Sequence, residues 1–191
     1  MDADFSIELG RDDPVLDLPW SDPSGKLSYF DLKRHPELIA KIEEAQKFPE
    51  LSEFLRSINS ARSALETVKC DVWTTTDLTA EEEIFDASHK VASYADLVFS
   101  TPESRRSYEL HKDFAAKLSD LLRRAPELPA SAEICVRRCY FAQFEAETHE
   151  EGFYFTLYMS GYGNDEAAAR KNWSIGMNLA ANAILQLSVS P

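Results

Sequence analysis

The chain has 191 residues, of which 44% are hydrophobic and 11% aromatic, and it carries a formal net charge of -13. That is enough apolar material for one sizeable core, and it is not the composition of a disordered chain. A surface this acidic repels phosphate backbones and anionic lipid headgroups, which argues against nucleic acid and membrane surfaces as partners.

Two further classes fall away. No stretch approaches the roughly 20 apolar residues of a membrane-spanning helix. The opening MDADFSIELGRDD is acidic, with no basic segment leading into an apolar one, so it does not read as a secretory signal. The expected location is cytoplasmic. Cys70, Cys135 and Cys139 are odd in number. The last two, four apart in a strand-like run, would stand about 13 Å apart, beyond the roughly 4.4 to 6.8 Å between the Cα atoms of a disulfide. They read as reduced, structural thiols.

Residues 1–34 are rich in Asp, Pro and Ser, and Pro14, Pro19 and Pro23 exclude regular helix. Val15, Leu16, Leu18, Trp20, Leu27, Tyr29 and Phe30 are more large apolar side chains than a disordered tail carries. The segment reads as an extended, Pro-rich docking arm on the body of its own chain, or alternatively on a second subunit. Two similar openings follow, HPELIAKIEEAQ and FPELSEFLRSIN. Each has Pro near the first helical position and Glu just after it, which suits a helix start. Stripes at Leu38, Ile39, Ile42, Ala45 and at Leu51, Phe54, Leu55, Ile58, Ala61, Leu65 predict helices over about 36–47 and 49–67. Residues 35–68 thus read as a helical segment packed on the body.

The remainder, 69–191, repeats a pattern. CDVWTTTDL (70–78) answers to ICVRRCYFA (134–142), VASYADLVFS (91–100) to FYFTLYMSGY (153–162), and the helical pattern at 102–124 to that at 165–187. The offsets are 64, 62 and 63 residues, with low residue identity. This predicts an α+β fold: duplicated ββα units giving a four-stranded antiparallel sheet with two helices on one face, plus the N-terminal helical segment and extended arm. Thr101-Pro102-Glu103 suits the start of the first helix. Its apolar face includes Tyr108, His111, Phe114, Leu118 and Leu122. The second presents Trp173, Gly176, Ala180, Ala183 and Ile184, whose small members allow close packing. A helix of about 22 residues is about as long as a ten-residue strand, so each helix runs back along the strand before it. The two hairpin tips then point to opposite ends, in strand order 2-1-3-4 or 1-2-4-3.

Gly161-Tyr162-Gly163-Asn164-Asp165-Glu166 invites a phosphate-loop reading and does not sustain it. A third glycine is missing, no Gly-Lys-Ser/Thr follows, and two acids sit where a helix terminus would attract an anion. The glycines read as ending a strand and turning the chain, with Asn164 or Gly163 as the cap.

The loops TAEEEIFDASH (79–89) and FEAETHEE (144–151) each hold acids and one histidine, His89 or His149. Opposite tips cannot share a metal, and Glu81, Glu83, Asp86 and His89 lack calcium-loop spacing, so both read as solvated acidic tips. Cys135-x-x-x-Cys139 is too loose for structural zinc and has no evident fourth ligand. The expectation is no metal and no cofactor. Arg137 and Arg138 are adjacent in a strand, so they face opposite sides. Phe153, Phe155, Leu157 and Met159 suit the face under the helices, and Tyr154, Thr156, Tyr158 and Ser160 the other. Tyr154, Tyr158, Arg137, Arg138, Thr74 and Thr76 are the candidate binding residues on that second face. It could be covered by residues 1–67, form a subunit interface, or hold a ligand or peptide.

No catalytic constellation emerges. The function expected is that of a non-enzymatic interaction or binding protein, acting through the Tyr/Thr/Arg sheet face or the arm. Its partner would be another protein or a second copy in a homodimer. The alternative is a hydrolase-like small-molecule enzyme with a pocket on that face.

Overall fold

The structure, a computed structural model, describes residues 1–22, 24–25, 28–125, 127–143 and 148–189. It is α+β, with strands β1 (Asp2–Glu8), β2 (Leu16–Leu18), β3 (Leu65–Thr75), β4 (His89–Phe99), β5 (Ala130–Gln143) and β6 (Thr148–Gly163). The helices are α1 (Glu43–Lys47), α2 (Pro49–Ile58), α3 (Pro102–Arg105), α4 (Tyr108–Arg123) and α5 (Glu166–Ser188). None of the described helices is long and apolar enough to cross a membrane.

The sheet is not the four-stranded antiparallel assembly of duplicated ββα units that the sequence predicts. It has six strands in the order β1-β5-β6-β4-β3, with β2 also on β5. β3, β4, β6 and β5 do pair antiparallel in the second of the two expected orders. The arm adds β1 and β2, both parallel to β5, which makes the sheet mixed. Asp2 and Asp4 mask the alternation of Ala3, Phe5 and Ile7 in the sequence, and the partner strand lies more than a hundred residues away. The halves also differ in their helices. α5 runs unbroken for 23 residues, whereas the pattern at 102–124 splits into α3 and α4. Ser107 causes the split, because its hydroxyl accepts the Leu110 amide at 3.3 Å and restarts the helix.

The helix expected over 36–47 is a 3-10 turn at Pro36–Lys41 followed by α1, interrupted at extended Ile42. The one expected over 49–67 stops at Ile58. Asn59 ends it by bonding forward: its side chain accepts the Thr67 amide at 3.1 Å and donates to the Thr67 hydroxyl at 2.7 Å. Leu65, periodic with the helix in sequence, instead pairs with Phe99 in the sheet.

The main core lies between the sheet and α2, α4 and α5. Phe155, Leu157, Met159, Ile134, Val136 and Trp173 are fully buried there. The Trp173 indole donates to Ser93 Oγ at 2.9 Å, which satisfies its one polar atom. β6 runs through Gly161 and stops at Gly163, so the second glycine does end the strand, while the first lies within it. A Cβ on Gly161 would stand 2.1 Å from the Trp173 nitrogen, and one on Gly163 2.5 Å from the Ala169 nitrogen. The missing side chains let the first turns of α5 lie directly on the sheet. The cap is Asp165, whose carboxylate accepts the Ala168 amide at 2.7 Å.

A second, smaller cluster occupies the opposite face. Leu16, Leu18, Trp20 and Tyr29 from the arm pack on Val68, Val98, Cys139 and Tyr154. Residues 14–22 and 28–32 thus form a strap from the β5 edge across to β3. There the Trp20 indole donates to the Val68 carbonyl, and Lys33 Nζ donates to the Ser63 and Leu65 carbonyls. The chain then turns over the β3 edge, placing Leu32 in the main core ahead of the helical segment.

Candidate functional site

The strap covers only half of the face away from the helices. Pairing registers order the rest into rows across the strands. Trp73, Ala92, Ser160, Ser131 and Asp2 are successive neighbours across β3, β4, β6, β5 and β1. One row nearer the strap stand Asp71, Tyr94, Tyr158, Glu133 and Asp4, and after it Lys69, Asp96, Thr156, Cys135 and Ser6.

The middle of the first row, Ala92, Ser160 and Ser131, is a floor of small side chains between two higher walls. On one side the β3–β4 hairpin folds back over the sheet. Phe85 stacks on Tyr162 with ring centroids 4.1 Å apart and planes 9° from parallel. The Tyr162 hydroxyl donates to Glu82 at 2.8 Å and lies 3.0 Å from Ser131 Oγ. Glu82 also pairs with Lys90 and accepts the Thr79 amide. Burial would raise the Glu82 carboxyl, but these bonds overcome it and hold it below its ordinary range. The Tyr162 hydroxyl is pushed up to about 12, chiefly by burial. The loop read as a solvated acidic tip is thus tied down through Glu82, while Ile84 stays 74% exposed and Trp73 40%. Tyr158 forms the other wall. The result is a trough of about 540 Å³. Its rim carries Asp2, Asp4, Glu81 and Glu133, and Lys90 is the cation among its described lining residues.

Below the Tyr158 wall a polar chain crosses the sheet and separates trough from strap. Arg137 donates to Glu8 at 2.6 Å, to the Thr156 hydroxyl at 2.8 Å and to the Tyr158 hydroxyl at 3.2 Å. Thr156 donates in turn to Asp96 at 2.6 Å. Burial pushes the Asp96 carboxyl up to about 6, against the Thr156 bond and the charges of Lys69 and Arg137. Glu8, Arg137, Thr156 and Asp96 are thus joined by hydrogen bonds in series, which is how a sheet tolerates charges out of water.

The candidate residues scatter over this frame. Tyr158 and Arg137 meet at the trough wall, with the guanidinium 5.6 Å from the ring centroid. Tyr154 is buried under the strap. Arg138 points to the other side and donates to the Leu9 and Gly10 carbonyls. Thr74 shares the parity of buried Val72, and Thr76 lies beyond the end of β3, so neither joins the tyrosines. Trp73 takes that place. The bulge between Thr67 and Lys69 leaves the odd-numbered residues of β3 on the tyrosine face, and nothing in the sequence announces it.

Glu8, Glu133 and Cys135 bring potential ligand atoms within 4.8 Å of one another, the one such group among the described residues. Glu8 already holds Arg137, and burial pushes the Cys135 thiol up to about 12, so the group is poorly suited to a cation. Of the second acidic loop, residues 144–147 lie outside the described residues, and exposed His149 stands beside Ala142 at that end of the sheet. A larger groove of about 950 Å³ follows the β3 edge between the strap and α1. Its described strap-side lining includes Trp20, Ser21, Asp22, Ser28 and Phe30. Pro23 and Leu27 of the arm lie outside the described residues. No protein-family model, no curated protein and no solved structure matches the chain.

Proposed function

We propose that the chain is a non-enzymatic binding protein that takes hold of a partner through the uncovered half of its sheet face. The observation that carries this reading is the trough: a floor of Ala92, Ser131 and Ser160 between aromatic walls already braced by the chain's own bonds. Braced walls and a small-residue floor accept a ligand without reorganisation, which is the main cost a binding surface avoids. Three free thiols suit the cytoplasmic location that belongs to the same proposal. The enzyme alternative has less support, because the carboxyls that burial pushes upward, Asp96 in the polar chain and Glu66 paired with Arg105, both lie outside the trough.

A photo-crosslinking side chain in place of Ser160, with a control in place of exposed Ile175 on the helical side, tests the reading in cells. The expected result is a discrete crosslinked species from the sheet position alone. No species, or the same species from both positions, rejects it.

A further inference from the structure

Resting on that reading, we infer that the trough is shaped for an extended, basic segment of a partner protein. The segment would lie across the strands, with a Lys or Arg side chain at the β1–β5 end and an apolar side chain at the Trp73 end.

The dimensions argue for a chain rather than a compact ligand. From Trp73 to Asp2 the first row crosses four interstrand steps, about 19 Å, which about six residues of extended chain would span. Tyr158 and Tyr162 stand four residues apart along β6, about 13 Å, room for a single strand between the walls.

The charge argues for a basic occupant. Asp2, Glu81 and Glu133 have no ion-pair partner among the described residues, and Asp4 shares Arg123 at the surface. Lys90, the lining cation, is already held by Glu82. The β1–β5 end is therefore unbalanced toward negative, and a cation arriving there also meets the Tyr158 ring. The other end offers Trp73 and Ile84, both exposed. A second copy of the chain carries the same net charge of -13, so charge disfavours it as occupant.

The test pans the full-length chain against a phage-displayed random peptide library and measures selected synthetic peptides by fluorescence anisotropy. The expected peptides carry Lys or Arg several residues from an apolar side chain. Their affinity should fall about tenfold or more in the Asp2→Asn/Glu133→Gln double variant, again in Trp73→Ala, and also at high salt. The charge variants are isosteric at exposed positions, and thermal melts confirm that they fold. Peptides without basic residues that are still blocked by Ser160→Leu, which fills the floor, overturn the basic occupant and leave open-face binding standing. Peptides indifferent to Ser160→Leu overturn both. No enriched peptide, with spermine binding that depends on Asp2 and Glu133, replaces the peptide with a small polyamine; no enrichment and no spermine binding overturns the proposal outright.

Discussion

A methyl group on Gly161 would meet the Trp173 nitrogen and, at 2.5 Å, the Ala169 carbonyl oxygen, both backbone atoms of a helix that cannot rotate away. Gly161→Ala must therefore lift α5 off the sheet. It is expected to cost about 3 kcal/mol of unfolding free energy, measured by urea denaturation. A loss below about 0.5 kcal/mol would mean that the helix shifts freely. Gly176 makes the contrast, since its added Cβ would meet Met159 Sδ, the far end of a flexible side chain. That Gly161 and Gly163 are not a phosphate loop was legible from their neighbours. Their packing role was not, because it depends on Trp173 and Ala169 returning over the strand. Arg137 shows the same limit: adjacency to Arg138 told that the two face opposite ways, but not which way each faces.

The arm gains its structure only from its partners. β1 is fixed by β5 and by α4, where Arg123 Nε donates to the Ala3 carbonyl at 2.7 Å. β2 has three residues and pairs on one side, too little to order a strand alone. Docking of Leu16, Leu18, Trp20 and Tyr29 supplies the rest. Removing residues 1–34 would uncover both the β5 edge and the second cluster. The truncated chain is expected to lose cooperative thermal unfolding and to form large species in light scattering. A truncated protein that stays small and melts within a few degrees of the full chain would show the strap to be dispensable. The apolar content of the arm was visible in the sequence. The strands were not, since proline and aspartate signals dominate any local reading.

Stability against pH belongs to the molecule as a whole, and two buried groups pull it in opposite directions. Burial raises the Asp96 carboxyl from 3.8 to about 6, so the folded state holds a proton that the unfolded chain has lost. Its contribution is full below about pH 4 and disappears as pH rises through about 6. Burial lowers His111 from 6.5 to about 4, against the bond between its Nδ1 and the Ser107 carbonyl. Here the unfolded chain binds the extra proton, so stability is present above about pH 6.5 and is lost as pH falls toward 4. Between pH 4 and 6 the two slopes oppose each other. Relative to the parent, Asp96→Asn should tilt the curve of unfolding free energy upward with pH by about 1.4 kcal/mol per unit. His111→Phe, which keeps a ring among Phe99, Phe153 and Phe155, should tilt it downward by a similar amount. Parallel curves for parent and variants would show that neither group titrates with folding.

The sequence by itself determined the α+β class and the division of β6 into a helix-covered and a tyrosine face, and left the order of the central strands between two alternatives. The class and the division follow from periods of two and of 3.6 residues, which any short window contains. Only the tertiary structure decided that the arm completes the sheet in parallel, that a bulge puts Trp73 rather than Thr74 beside the tyrosines, and that the β3–β4 hairpin folds back to wall a trough. Each of these depends on residues far apart in sequence coming to share a strand edge or a face, and no local pattern encodes such a meeting.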